Sequence, residues 1–401
     1  MIPRNIAFHI KKYAREYPLV ALVGPRQSGK TTLVRHLFPG HTYLSLENID
    51  LRHRAQNDPR GFLADYNGPV IIDEAQRVPD LFSYLQEQVD MQDIPGRYVL
   101  TGSQQFLLME KISQSLAGRI VTFKLMPFSV TELCGFQSDK TPADIFAPKK
   151  RQRSPLDDQD IYSLLFTGFY PRIHDKHLTA SKWLENYVLT YVERDIRNLV
   201  NVSNLMLFEN FLKMCAGFCG QLLNYASLSN ALGVSQPTIK SWISLLETSG
   251  IIFLLRPHYR NFSKRLIKTP KLYFVDTGLL CFLLSIRKPD ELKNHPLYGN
   301  IFENFVISEF YKRISHVAET PPLYFWRDKT GNEIDLIVEQ GTKLLPIEIK
   351  SSRTFSTDFV TGLEKWCRLK GNDCESGFVV YGGDELIGKS SMFAAVPWWR
   401  F

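Results

Sequence analysis

The sequence predicts an α/β protein of several domains, and two observations lead to that prediction. The first third of the chain alternates short apolar runs with polar, helix-like stretches, which is typical of a parallel sheet covered by helices on both faces. At 401 residues the chain is also longer than one hydrophobic core usually serves, so about two to four domains are expected. The predicted domains are residues 1–148, 149–220, 221–290 and 291–401.

The composition is that of an ordinary globular protein, with 44% hydrophobic and 22% charged residues. A net charge of +7 permits a nucleic-acid partner without requiring one. The first residues contain no apolar stretch of a secretory signal, and no apolar run reaches the roughly 18 residues of a membrane span. We therefore expect a cytoplasmic protein without a membrane partner. Its six cysteines form no CxxC pair, so we expect reduced thiols.

The apolar runs place the first sheet and the element that follows it. The predicted strands are residues 19–23, 42–46, 70–73, 98–101 and 120–125. Residues 31–37 read as a helix directly after the first strand. The basic, proline-bounded run 148–155 indicates a solvated linker, and contact with phosphate is the alternative. Residues 161–218 have helical periodicity and are expected to form a helical lid or bundle.

Residues 24–31 match the phosphate-loop pattern G-x-x-x-x-G-K-[ST] between a predicted strand and a predicted helix. The glycines let backbone N–H groups face phosphate oxygens, and the helix N-terminus adds its positive dipole end. Lys30 is expected to reach the β- and γ-phosphates of ATP, and Thr31 to ligate Mg²⁺. The predicted nucleotide-binding residues are Gly24, Pro25, Arg26, Gln27, Ser28, Gly29, Lys30, Thr31 and Thr32.

Acidic and polar residues end the later strands of the first domain. Asp73 is expected to hold Mg²⁺, and Glu74 to polarise the attacking water, which favours hydrolysis over nucleotide sensing alone. Ser103 or Gln104 would orient that water, and the sequence does not choose between them. Arg119 reads equally well as a surface ion pair or as an arginine presented to a neighbouring subunit's nucleotide.

These motifs together resemble prokaryotic AAA-type ATPases related to archaeal ATPases and to the signalling NTPases with numerous domains. Three later stretches, residues 168–172, 191–195 and 271–279, resemble the same family, so the resemblance covers nearly the whole chain. It implies a C-terminal domain of unknown function, a homo-oligomer, and Arg119 as an arginine finger. The implied fold is an AAA-type P-loop domain with a parallel sheet, then a helical lid with a winged helix, and a C-terminal α/β domain.

Residues 225–255 read as helix, turn, helix and strand, the pattern of a helix-turn-helix with a wing. Gln236, Thr238 and Lys240 would then face DNA, and the basic segment 256–268 with interleaved aromatics favours phosphate contact. The alternative is that this module packs against protein as part of the lid.

The C-terminal region places acids and a lysine on adjacent predicted strands. Glu348 and Lys350 are two residues apart on one strand and so share a face, beside Asp335 on the neighbouring strand. This constellation resembles PD-(D/E)XK nucleases, a restriction-endonuclease-like fold, and Glu303 on the preceding helix matches a further acid of that superfamily. The predicted metal ligands are Glu303, Asp335 and Glu348, holding Mg²⁺ or Mn²⁺, with Glu348 and Lys350 in catalytic roles.

Three functions are consistent with the sequence. One is an ATP-dependent DNA-processing enzyme with a metal-dependent nuclease. Another is an ATP-gated switch or scaffold whose nuclease-like domain binds DNA or a protein partner without cutting. The third is a regulator linked to transcription that acts through the winged helix.

Overall fold

The computed structural model describes most of the chain. The described residues are 1–102, 108, 112, 115–135, 160–191, 205–259, 268–369, 372, 374, 376–390 and 392–400. The predicted sensors Ser103 and Gln104, the basic run 148–155 and much of the basic segment after residue 259 lie outside them. No helix in the described part is long and apolar enough to cross a membrane.

Within the described residues, five strands form a first sheet in which every neighbouring pair is parallel. The strands are β1 (Leu19–Val23), β2 (Thr42–Ser45), β3 (Val70–Asp73), β4 (Tyr98–Thr101) and β5 (Ile120–Lys124). Their order is β2-β3-β4-β1-β5, so β4 separates the strand of the phosphate loop from the strand of Asp73. The predicted α/β class with a parallel sheet is confirmed.

Helices cover both faces of this sheet, because alternate strand residues enter different cores. Leu19 and Ala21 of β1 belong to one hydrophobic cluster, while Val20 and Leu22 belong to another. The helices of this part are α1 (Ala7–Tyr13), α2 (Lys30–Leu37), α3 (Ile49–Asn57), α4 (Pro59–Ala64), α5 (Leu81–Met91) and α6 (Val130–Leu133).

The middle of the chain is helical, as its periodicity predicts. The helices are α7 (Ile161–Thr167), α8 (Pro171–Asp175), α9 (Ala180–Tyr191), α10 (Leu205–Gly217), α11 (Tyr225–Leu232) and α12 (Gln236–Thr248). Asn224 caps α11 and Ser235 caps α12 through side-chain oxygens that accept backbone N–H groups. Gly233 takes φ +66° in the turn between the two helices, a conformation that favours glycine.

A second sheet contains eight of the described strands, in the order β12-β13-β11-β10-β9-β8-β6-β7. The strands are β6 (Ile252–Pro257), β7 (Lys271–Phe274), β8 (Leu323–Arg327), β9 (Glu333–Gln340), β10 (Lys343–Lys350), β11 (Gly377–Tyr381), β12 (Ile387–Ser390) and β13 (Phe393–Pro397). The antiparallel pair β6–β7 joins the rest where Arg256 and Pro257 pair with β8. One sheet therefore runs across the boundary predicted at residues 290 and 291.

Three further helices accompany the second sheet: α13 (Thr277–Leu283), α14 (Tyr298–His316) and α15 (Asp358–Cys367). Helix α14 belongs to a large core that also takes in the middle helices, and α15 packs in a separate core beside β9, β10 and β11.

Strands β9 and β10 pair up to Gln340 and Lys343, because Gly341 takes φ +62° in the short turn between them. One expectation from the sequence is corrected. Cys367 and Cys374 form a disulfide instead of reduced thiols, because the end of α15 and the following chain bring their Cα atoms to 5.5 Å.

Candidate functional site

The phosphate loop turns sharply between β1 and α2, as the motif requires. Gly24 takes φ +146°, and a Cβ at this position would overlap the Leu125 carbonyl oxygen. Gly29 takes φ +91° at the N-terminus of α2, so both motif glycines occupy conformations that side chains disfavour. The start of α2 is therefore free to present backbone N–H groups to an anion.

The ammonium of Lys30 is buried within this loop. It donates to the carbonyl oxygens of Gly24 at 3.0 Å and Pro25 at 2.8 Å. A lysine held by carbonyl groups of its own loop is a positive charge placed where phosphate oxygens would arrive. Thr31, the next residue, lies in the first turn of α2, on the side of β3.

Asp73 at the end of β3 accepts hydrogen bonds from three neighbouring elements. Thr31 Oγ1 donates at 3.0 Å and Tyr43 Oη at 2.6 Å, both to Asp73 Oδ2, while Thr101 Oγ1 donates to Oδ1. Thr31 and Asp73 therefore lie together, as their predicted metal role requires. The roles of Tyr43 and Thr101 were not predicted, although both lie on strands next to β3.

Glu74 follows Asp73 in a left-handed conformation with φ +56°. A side chain with a Cβ adopts this conformation at a cost, and such backbone is found at functional sites more often than elsewhere. Gln76 Nε2 donates to the Glu74 carboxylate at 2.5 Å. Glu74 is thus the first residue after β3, and its carboxylate is held by Gln76.

Arg119 forms an ion pair with Asp90 in this chain. Its Nε lies 2.5 Å and its Nη2 3.0 Å from the two carboxylate oxygens, and both side chains are largely exposed. The pair holds the pKa of Asp90 below its ordinary value through the Arg119 hydrogen bond. Both charged groups are open to solvent, so this ion pair is a weak one.

A buried ionic group supports the loop from behind. Arg4 Nη1 donates to the Ser28 carbonyl at 2.9 Å, Nη2 to the Met126 carbonyl at 2.6 Å, and Nε to Glu132 at 3.1 Å. His316 from the end of α14 lies 3.5 Å from Glu132. Although burial opposes the charge, Arg4 keeps the pKa of Glu132 below its ordinary value, and burial lowers that of His316 to about 4.

A cavity of about 320 Å³ opens beside the loop. Its lining combines the phosphate loop and α2 with the chain start and with Pro171 and Arg172 of α8. A cavity of this size falls at the lower end of small-molecule sites. It borders the phosphate-loop residues Gln27 and Gly29.

The structure brings Asp335, Glu348 and Lys350 together on β9 and β10. Lys350 Nζ lies 2.5 Å from Glu348 Oε1 and 4.0 Å from Asp335 Oδ2. The Ile349 N–H donates to Asp335 at 2.8 Å, which fixes that carboxylate against the neighbouring strand. Glu348 Oε2 is buried without a hydrogen-bond partner among the described residues, and hard oxygen donors of this kind suit Mg²⁺.

These groups shift one another's protonation. Burial, then repulsion from Asp335, raises the pKa of Glu348 to about 8. Burial opposes the charge of Lys350, but Asp335 and Glu348 raise its pKa above the ordinary value. The raised pKa of Glu348 indicates that Lys350 does not fully compensate the negative charge of the two carboxylates.

Glu303 makes its hydrogen bonds to side chains of β7. It accepts from Lys271 Nζ at 3.1 Å and from Tyr273 Oη at 2.5 Å, and Lys271 also pairs with Glu333. Burial raises the pKa of Glu303 to about 7. No three Asp, Glu, His or Cys side chains among the described residues lie close enough to hold one metal ion. Lys271 and Tyr273 lie in the 271–279 stretch but received no predicted role.

The residues predicted to face DNA are only partly placed on an accessible surface. Gln236 and Lys240 on α12 are exposed, whereas Thr238 is half-buried with its backbone N–H bonded to Ser235. Arg256 is exposed and His258 is buried against β8. DNA contact by this region stays a prediction.

A phosphate loop between a parallel strand and a helix, with an acidic end on a neighbouring strand, defines a P-loop ATPase of the AAA class. Residues 16–134 match the family model of an AAA domain. Residues 158–290 and 298–401 match two domains of unknown function, DUF8612 and DUF4143.

The chain is 30% identical over 399 residues to an uncharacterized protein of Mycobacterium tuberculosis, covering 98% of this chain and 83% of that protein. It therefore belongs to the same protein family. An uncharacterized protein of Methanocaldococcus jannaschii is 22% identical over 416 residues, covering 96% of this chain and 84% of its own length.

Among solved structures, the Walker-type ATPase of Pyrococcus abyssi is 14% identical with a TM-score of 0.41, over 71% of this chain and 96% of that one. The Thermotoga maritima RuvB Holliday junction branch migration motor is 17% identical with a TM-score of 0.32, over 62% and 88%. Likeness at this level supports no conclusion about activity.

Proposed function

We propose that the chain binds and hydrolyses ATP at the site formed by the phosphate loop and the ends of β3 and β4. The observation that supports this most directly is the hydrogen bond between Thr31 and Asp73 beside the buried ammonium of Lys30. This is the pair of oxygen ligands, with an adjacent cation, that a magnesium–triphosphate substrate needs. The cavity beside Gln27 and Thr32 would take the nucleoside.

Each residue then has a separate task. Lys30 leaves its loop carbonyls and neutralises phosphate oxygens, while Thr31 and Asp73 hold Mg²⁺, which neutralises phosphate charge when bound. Glu74, the first residue after β3, would accept the proton of the attacking water. Arg119 of a neighbouring subunit would add positive charge in the transition state, which requires a homo-oligomer.

Replacing Lys30 with alanine tests the nucleotide site. We expect loss of ATP binding, because a buried charge next to the phosphates disappears while the fold of β1 and α2 remains. Titration of fluorescent ATP into wild type and variant measures it, with His36→Ala as a control on the exposed side of the same helix. Equal affinity in Lys30→Ala would refute the assignment of this site.

A second candidate activity is metal-dependent phosphodiester cleavage at Asp335, Glu348 and Lys350. The observation that favours it is that Glu348 Oε2 is buried and finds no hydrogen-bond partner among the described residues, while Lys350 contacts both Glu348 and Asp335. Asp335 and Glu348 would hold Mg²⁺ or Mn²⁺, which would polarise the phosphate, and Lys350 would orient the water. The alternative is a site that binds DNA or a protein partner without cutting.

Helix α14 supports a connection between the two sites. It carries Glu303 near its start and His316, beside Arg4 and Glu132, at its end. Near its middle, Tyr311 accepts a hydrogen bond from Lys124 at the end of β5 at 3.0 Å. About 13 residues of helix separate Glu303 from His316, a span of roughly 20 Å. We propose that ATP sets the state of this helix and so of the C-terminal site.

A nuclease assay with Mg²⁺ or Mn²⁺ decides between cleavage and binding. We expect wild type to cut DNA and the Asp335→Ala, Glu348→Ala double variant to be inactive while still hydrolysing ATP. Equal cleavage by both proteins, or none by wild type, would exclude the nuclease and leave the binding role.

A further inference from the structure

The C-terminal site receives side chains from a strand outside the β9–β10 pair. Lys271 and Tyr273 are two residues apart on β7, so both project to the same side, toward Glu303. Asn304, next to Glu303 on α14, accepts from the Phe274 N–H at 2.7 Å and donates to the Phe274 carbonyl at 3.0 Å. This two-bond clamp fixes α14 against β7, so the Glu303 contacts are part of the fold.

Lys271 is the principal cation facing Glu303. Its side chain is 5% exposed, and Nζ contacts both Glu303 and Glu333. Carboxylates around it, including Asp335, raise its pKa, so the ammonium stays charged despite burial. A buried carboxylate needs such compensation, because an unpaired charge in the interior costs several kcal/mol.

In this arrangement Glu303 does not share one metal position with the other two predicted ligands. With Glu303 bound to Lys271 and Tyr273, the described acids do not converge on one position, although Asp335 and Glu348 do lie beside Lys350. A divalent cation between Asp335 and Glu348 could recruit Glu303 only if Glu303 left Lys271.

We propose that Lys271, assisted by Tyr273, is the resident counter-ion of Glu303, and that a divalent cation binding between Asp335 and Glu348 displaces it. Lys271 is therefore a positioning residue that sets the affinity of the C-terminal site for metal. This inference rests on the proposed metal site of Asp335 and Glu348. It assigns to the β6–β7 hairpin a part in that site.

Binding of Mn²⁺ alone to the full chain tests the proposal, measured by isothermal titration with EPR of the free ion. Every protein compared also carries Asp73→Asn, so that Mn²⁺ binding at the P-loop site does not contribute to the measured binding. Lys271→Met, which keeps the apolar stem, is expected to bind Mn²⁺ more tightly, because no resident cation then competes for Glu303. The expected gain is about tenfold, the lower end of the change in metal affinity, usually a loss, that follows replacement of a group behind a metal ligand. Tyr273→Phe should tighten binding less, and Lys293→Met, which breaks an exposed pair with Asp290, should leave it unchanged.

A double-variant comparison separates displacement from a general charge effect. If Lys271 competes for Glu303, Lys271→Met changes affinity little in a Glu303→Gln background. The same tenfold gain in that background, or no gain in the single variant with its thermal melt intact, would overturn the proposal. Should Lys271→Met melt early, Tyr273→Phe carries the test, and an unchanged affinity there counts against it.

A separate variant tests whether Mn²⁺ binds between Asp335 and Glu348 at all. Loss of Mn²⁺ binding in the Asp335→Ala, Glu348→Ala variant supports that site, whatever Lys271 does. Equal binding in that variant and its parent would refute the site, and the Lys271 proposal with it.

Discussion

Replacing Arg4 with methionine should destabilise the chain more than any exposed charge change. Methionine retains much of the stem but removes the guanidinium, which donates to Glu132 and to two carbonyl groups. Glu132 is fully buried, and the remaining basic neighbour, His316, is held neutral by burial, which lowers its pKa to about 4. The carboxylate would keep its backbone donors from Asn5 and Ser129.

The magnitude follows from breaking one partner of a buried pair, which costs about 3–5 kcal/mol. Ser28 and Met126 carbonyl groups also lose a donor, which adds in the same direction. For a unit of this size the shift in melting temperature is on the order of 10 °C. Because Ser28 belongs to the phosphate loop, ATP affinity should fall as well.

Urea unfolding and thermal melts, followed by circular dichroism, measure this effect. Arg60→Met is the matched control, because Arg60 pairs with Glu87 at the surface and exposed pairs contribute about 1 kcal/mol or less. Adding Glu132→Gln to Arg4→Met should recover part of the loss, since no buried charge is then left unpaired. The reasoning fails if Arg4→Met costs no more than Arg60→Met.

Three other predictions follow from the charges at the two sites. Because burial lowers the folded pKa of His316 to about 4, the unfolded chain binds more protons than the folded chain between about pH 6.5 and 4. The free energy of unfolding should therefore decrease by roughly 3 kcal/mol as the pH falls across that window. In His316→Gln, the urea midpoint of unfolding should depend less on pH. Since the pKa of Glu348 is raised to about 8, Mn²⁺ binding at pH 7 should release about one proton, seen by calorimetry in buffers of different ionisation enthalpy; no release would contradict a metal at Glu348. Arg119→Ala should leave ATP binding intact and lower hydrolysis about 10³-fold or more at high protein concentration; unchanged hydrolysis there would remove the trans-acting arginine.

Much of the first domain could be predicted because its signals are local. The loop between β1 and α2 depends on Gly24 and Gly29, and the apolar runs mark the strands almost to the residue. The β9–β10 pair was also accessible, since a period of two places Glu348 and Lys350 on one face. In both cases the chemistry lies within one or two adjoining elements.

The long-range contacts could not be predicted in this way. Arg4 and Glu132 are 128 residues apart, and Lys271 and Glu303 are 32 residues apart, so no spacing rule relates them. Each pair forms because apolar packing elsewhere brings its elements together. The disulfide between Cys367 and Cys374 was missed for a related reason. The two cysteines match no short motif, and they meet because Cys367 ends α15.

The central claim is that this chain hydrolyses ATP with Glu74 as the residue that activates water. The most direct measurement is the single-turnover rate of ATP hydrolysis by Glu74→Gln at saturating ATP, beside wild type. We predict unchanged ATP affinity and a rate about 10²–10⁴-fold lower, the range for loss of a general base. A Glu74→Gln variant that hydrolyses bound ATP as fast as wild type would contradict the claim.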